Sequence, residues 1–172
     1  MQSQHQHIPK DNPTYDLSDL TSDILSGHPS THRIIIGGTS PGRTRTITDI
    51  LRHYPADTKL IIVEDGDEIQ IPIKSRNALR VSPSGGGAND APMPPKSFSD
   101  MLITIKPDVI AFRHTTSITT RTMIRMAERT ATSIFAIADT PADTKVRPPA
   151  LQRLMNAGFR LIRPDSTTPV SA

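Results

Sequence analysis

The stretch Arg33-Ile34-Ile35-Ile36-Gly37-Gly38-Thr39-Ser40-Pro41-Gly42-Arg43-Thr44 decides the fold. Three consecutive isoleucines leave no polar side, so residues 34–36 read as a strand buried on both faces, as strands inside a parallel sheet are. Two glycines then turn the chain. Between Thr44 and His53, Ile47, Ile50 and Leu51 fall on one helical face, and Tyr54-Pro55 closes that helix. The turn fits G-x-x-x-x-G-K-[ST] with Arg43 in the lysine position. Loops of this kind bind phosphate because successive backbone N–H groups and a helix N-terminus converge on its oxygens. The lysine adds charge at the β and γ phosphates, and the hydroxyl of the last residue holds Mg²⁺.

Gly37, Gly38, Thr39, Gly42, Arg43 and Thr44 are therefore the candidate nucleotide-binding residues, with Thr44 as the Mg²⁺ ligand if nucleotide binds. Three departures count against tight binding. The planar fork of Arg43 is bulkier than a lysine ammonium. Pro41 has no N–H to give. Ser40 stands where glycine is common, which makes a left-handed backbone angle costlier. ATP and Mg²⁺ are expected to bind weakly or not at all, and a Gly-rich turn kept for folding alone is the simpler alternative.

Outward from the loop, Leu60–Val63 is a second buried strand that ends in Glu64-Asp65-Gly66-Asp67-Glu68. Ile69, Ile71 and Ile73 alternate with Gln70 and Pro72 and predict a short edge strand, where proline is tolerated. Residues 74–96 read as a low-complexity loop. Helices are predicted over Ser97–Ile105, with Ser97 as cap, over Ser117–Thr130, with Ile118, Met123, Ile124 and Ala127 inward, and over Pro148–Asn156, stopped at Gly158. Val109–Phe112, Ser133–Ile137 and Phe159–Ile162 are the remaining strands. Strands alternating with helices define an α/β domain with a mostly parallel sheet flanked by helices, whose ligands sit at the carboxyl ends of the strands. The expected organisation is a polar, acidic tail over 1–31 with one short helix (Leu17, Leu20, Ile24, Leu25), a domain over 32–163 and a tail over 164–172.

Composition narrows the class. A chain of 172 residues with 35% hydrophobic content and 16 prolines suits one domain plus loops. With no cysteine, disulfides and thiolate metal sites are excluded. No apolar run approaches the ~18 residues of a membrane span, and the N-terminus MQSQHQHIPK has no signal-peptide core, so a soluble, cytoplasmic protein is expected. His5 and His7 lack a third ligand to hold a metal firmly. The net charge of +3 hides an acidic first thirty residues (Asp11, Asp16, Asp19, Asp23) and a basic remainder. Arg121, Arg125 and Arg129 recur every four residues, either as a basic stripe for an acidic surface or as a solvated helix face. Aromatic residues at 3% give little for nucleic-acid bases to stack on, which disfavours nucleic acid as a partner.

The run IIIGGTSPGRTRTITDILRHYPADTKLIIVEDGDEIQIP resembles the P-loop and following acidic box of the type II/type IV secretion ATPases, the traffic ATPases of secretion, pili and conjugation. SFSDMLITIKPDVIAF is similar to the family's helix leading into R-P-D-x-I, where the Walker B strand begins. The resemblance covers residues 33–157, and the conjugative, type IV branch is the most similar. It implies a RecA-like P-loop core and ATP hydrolysis in a hexamer. It also implies that Glu64 and Asp65 are the acidic-box carboxylates, catalytic in the family because they help order the metal and the attacking water, and vestigial here. Arg113-His114 stand where the family has Gly-Glu, and Ala138 stands where its histidine box has the histidine. Phosphoryl transfer rests on positioning and charge stabilisation, so these losses remove several contributors at once. The expectation is a catalytically inactive relative acting as an interaction or regulatory component, with a full-length secretion ATPase as its protein partner. The alternative, on the strength of Thr44, Glu64 and Asp65, is a weak ATP-binding or ATP-hydrolysing subunit. With about 32 residues ahead of the core, the family's N-terminal domain is not expected within this sequence.

Overall fold

The computed structural model describes residues 31–83, 95–139 and 148–164, with Leu20, Ser22 and Ile24. In chain order the elements are β1 (His32–Ile35), α1 (Ser40–Leu51), β2 (Lys59–Val63), β3 (Asn77–Val81), α2 (Pro95–Ile105), β4 (Val109–Phe112), α3 (Ser117–Arg129), β5 (Ser133–Ile137), α4 (Pro149–Asn156) and β6 (Arg160–Ile162). The six strands form one sheet, all parallel, in the order β3-β2-β4-β5-β1-β6. This is the α/β architecture that the strand and helix alternation predicts.

The apolar strands have no solvated side because each face of the sheet carries its own core. On one face Ile34, Ile61, Val63, Ile110, Phe112 and Ile134 meet Phe98 and Leu102 of α2, Met123 and Met126 of α3, and Leu151 and Leu154 of α4. On the other, Ile35, Leu60, Ile62, Ala111, Phe135 and Ile137 meet Ile47, Ile50 and Leu51 of α1. Neighbouring isoleucines of β1 thus serve opposite cores, as a two-residue period requires. Leu20, within the segment read as a tail, is also buried in the second core, and the backbone of Leu20, Ser22 and Ile24 is helical.

Four expectations need correction. Helix α1 starts at Ser40, not Thr44, because Thr39 caps it and Pro41 fits its first turn, where the missing N–H has no helical partner to lose. Residues 69–73 form no strand. The Pro72 carbonyl accepts from Ser75 N–H and turns the chain, so Ile69 is buried and Ile73 lies in solvent. The edge strand is β3 instead, in a segment read as loop. On α3, Ile118 is exposed, and Thr119, Thr122, Met123 and Met126 make the buried face. Arg125 does not join a free stripe, because its guanidinium pairs with Asp100 of α2 at 2.6 Å and donates to Ser99 Oγ at 3.0 Å. His5, His7, most of the loop over 74–96 and the tail beyond residue 164 lie outside the described residues. Among the described residues, no helix is long and apolar enough to cross a membrane.

Candidate functional site at the carboxyl ends of the strands

The strand order places β5 between β1 and β4. Residues following β5 therefore lie between the Gly-rich loop after β1 and the segment after β4, although each is far from the others in sequence. Backbone bonds fix this register: Ala138 N–H donates to Ile35 O at 3.0 Å, and Arg113 N–H to Val63 O at 3.0 Å.

The loop itself is short. Gly37 (φ 75°) and Gly38 (φ 63°) take left-handed angles that side chains rarely adopt, and the helix follows two residues later. Thr39 closes the turn, its Oγ1 accepting from Gly42 N–H at 3.1 Å and its carbonyl accepting from Arg43 N–H at 3.0 Å. A Cβ at Gly42 would stand 3.0 Å from the Thr39 Oγ1, a tight contact that the threonine side chain would have to relieve. The Thr44 hydroxyl donates to Ser40 O at 3.1 Å. Pro41 offers nothing. The N–H groups of Gly42 and Arg43, which a phosphate loop aims at its ligand, thus have partners inside the loop.

The Arg43 side chain, with only a tenth of its surface exposed, folds back over the loop. Its Nη1 donates to Gly37 O and to Gly38 O, each at 3.1 Å, and its Nη2 donates to Asp139 Oδ1 at 3.0 Å. Arg113, almost fully buried, reaches across from β4: Nε donates to Glu68 Oε2 at 2.6 Å and Nη2 to Ser40 Oγ at 2.8 Å. Its Nη1 lies 3.6 Å from Asp139 Oδ1 without forming a hydrogen bond. Asp139 Oδ2 takes His114 Nδ1 at 3.0 Å, and since a carboxylate only accepts, that nitrogen carries the proton. Burial pushes the Asp139 carboxyl up. Hydrogen bonds from His114 and Arg43, with the Arg113 charge, outweigh it and hold the group below its usual value. A cleft beside this cluster is lined by His114, Thr115, Ala138, Asp139 and Leu151.

The sequence-predicted site residues divide into two groups. Gly37, Gly38, Thr39, Gly42, Arg43 and Thr44 form the loop as one unit. Glu64 and Asp65 have other partners: the buried Glu64 carboxylate pairs with Arg80 of β3 and accepts from Ile69 N–H, and Asp65 accepts from Ser82 Oγ. Sequence reasoning missed Asp139, Glu68 and the reach of Arg113. The available signal was position alone, since each follows a buried strand on the side of the sheet where ligands sit. Among the described residues no group of three or more His, Asp or Glu side chains is placed to hold a metal ion.

An all-parallel sheet with a Gly-rich strand-to-helix turn at its carboxyl edge is an α/β domain with a RecA-like fold. Solved structures it is similar to include traffic ATPases, the group the sequence resembles. The VirB11 ATPase of the Brucella suis type IV secretion system, in complex with sulphate, is 18% identical with a TM-score of 0.57, over 74% of this chain and 34% of that one. The pilus retraction motor PilT with bound ADP is 20% identical with a TM-score of 0.51, over 78% of this chain and 39% of that one. At such identities the likeness is one of fold, and the chain spans between a third and two fifths of their length. No family model matches the chain, and no curated protein matches it.

Proposed function

We propose that this protein is a nucleotide-independent relative of the secretion traffic ATPases, one that uses their core fold as an interaction or regulatory component of a type IV or type II secretion, pilus or conjugation system. One observation carries the reading: the loop binds itself. Gly42 N–H and Arg43 N–H are held by Thr39, and the Arg43 head group is held by Gly37 O, Gly38 O and Asp139. A phosphate entering this loop would have to displace those bonds, and the buried one, from Arg43 Nη1 to Gly37 O, costs about 1–3 kcal/mol if a group is left unsatisfied. The carboxylates supply no replacement chemistry, because Glu64 is committed to Arg80 and the segment where β4 ends presents the Arg113 guanidinium and the His114 imidazole in place of a carboxylate.

The fold likeness to VirB11 and PilT supports the secretion context, and a full-length traffic ATPase of the same host is the partner we propose. The weak ATP-binding alternative draws support from the positive φ angles of Gly37 and Gly38 and from the retained Thr44. Calorimetric titration with Mg·ATP and Mg·ADP separates the two. Heat of binding is expected to be absent up to millimolar nucleotide, and a micromolar Kd sinks the proposal. Co-expression with the host's traffic ATPase is expected to yield a co-purifying pair whose formation does not change when ATP is withdrawn.

A further inference from the structure

Asp139 lies at the centre of the site's charges. Two guanidiniums, Arg43 and Arg113, face two carboxylates, Asp139 and Glu68, and His114 donates to the same Asp139. Glu68 reaches Arg113 alone, whereas Asp139 serves both arginines through Oδ1 and the imidazole through Oδ2. With Gly42 N–H and Arg43 N–H already held by Thr39, the two arginines are the charged groups by which the site would attract an oxyanion. Both are almost fully buried, and Arg43 Nε and Arg113 Nη1 have no hydrogen-bond partner, so a second acceptor would find donors waiting. The carboxylate of Asp139 is itself an oxyanion supplied by the chain, arriving from the neighbouring strand end 96 positions away.

We propose that Asp139 is a built-in latch on the phosphate loop. Its carboxylate occupies the arginines as an intramolecular anion, and removing its charge opens the site to a free oxyanion such as pyrophosphate. The inference rests on the reading that the wild-type loop takes no nucleotide, and it supplies the reason. Besides the bonds within the loop, a carboxylate from another strand holds the site's arginines and keeps it shut. Without that carboxylate, two buried guanidiniums would face Glu68 alone. The excess positive charge weakens the fold until an anion neutralises it. The latch is therefore an autoinhibitory contact, released by whatever draws Asp139 away from Arg43.

Calorimetry and thermal unfolding with inorganic pyrophosphate test this on the full chain. The Asp139 side chain is about half exposed, so its replacement leaves the two cores intact. Asp139→Asn and Asp139→Ser are both made, so that loss of fold in one leaves the other. The expected result is a lower melting temperature than wild type, restored by pyrophosphate, with binding at least about tenfold tighter, equivalent to ~1.4 kcal/mol. Asp139→Glu keeps the charge and is expected to stay unresponsive. Adding Arg43→Gln to Asp139→Asn is expected to abolish the gain. Folded variants that respond to pyrophosphate no more than wild type overturn the latch and leave the nucleotide-independent reading standing. Micromolar pyrophosphate or Mg·ATP binding by the wild-type chain overturns both.

Discussion

Glu64 is the residue on which a catalytic and a structural reading differ most. Its side chain is 1% exposed, it pairs with Arg80, and both oxygens face Ile69 N–H at 3.3 Å. Arg80 also donates to Gly66 O and Ile69 O, so the pair pins the turn after β2 onto β3. Breaking a buried pair from one side strands the other charge, and Arg80→Ala is expected to cost about 3 kcal/mol in urea unfolding. Glu64→Gln, which keeps the shape and one acceptor, is expected to cost about 1 kcal/mol. If both variants unfold at the wild-type urea concentration, Glu64 is no brace and its acidic-box role returns to consideration. The sequence showed Glu64 as an acidic residue at a strand end, which is true and incomplete. Its partner sits in a strand that sequence patterning did not reveal. Asp139 was hidden in a similar way, because nothing local to Ala138-Asp139 says that β5 would insert between β1 and β4.

At the scale of elements, Ile69 and Ile73 make a matched pair. Both belong to one alternating run, yet Ile69 is fully buried beside α1 and Ile73 is fully exposed. Ile69→Ala is expected to cost about 3 kcal/mol through lost burial and the cavity left behind. Ile73→Ser is expected to stay within about 0.5 kcal/mol of wild type. Equal losses for the two in chemical denaturation would mean that the run does form a strand. Strands buried on both faces were legible because their residues had no other place to go: Val109–Phe112 and Ser133–Ile137 match the prediction residue for residue. Strand β3 was not, because an edge strand covered on one side needs few apolar residues, and Asn77, Leu79 and Arg80 do not look like an interior. Helix α3 shows the same limit. Thr116 caps it with a reciprocal bond to Thr119, so its start was readable, and Thr116→Ala is expected to cost about 1 kcal/mol by thermal melt. Its buried face is rich in threonine, which periodicity in apolar residues does not register.

Across the whole molecule, the two ends of the sheet respond to acid in separate ranges. At the amino end, His32 opens β1, stacks on Phe159 with ring centroids 5.0 Å apart, and bonds through Nε2 to Thr132 O at 3.2 Å, tying β1 to the entries of β5 and β6. Burial lowers the His32 pKa below 6.5, aided by the neighbouring Arg33 charge and only partly opposed by the Thr132 bond. The unfolded chain therefore takes up a proton below 6.5 that the folded chain resists, and stability falls as pH drops through that value. At the carboxyl end the opposite group titrates. Asp139 holds its charge in the fold below its ordinary 3.8, so its contribution is present above 3.8 and lost as pH falls through the folded value. Urea midpoints measured from neutral to acid pH are thus expected to decline in two stages, the histidine stage first. In His32→Phe, which keeps a ring against Phe159 and cannot titrate, the first stage flattens. In Asp139→Asn the second does, with the first unchanged, since the two groups sit at opposite ends of the strands and share no partner. A first-stage decline as steep in His32→Phe as in the wild type would place the acid-sensitive proton somewhere other than the foot of β1.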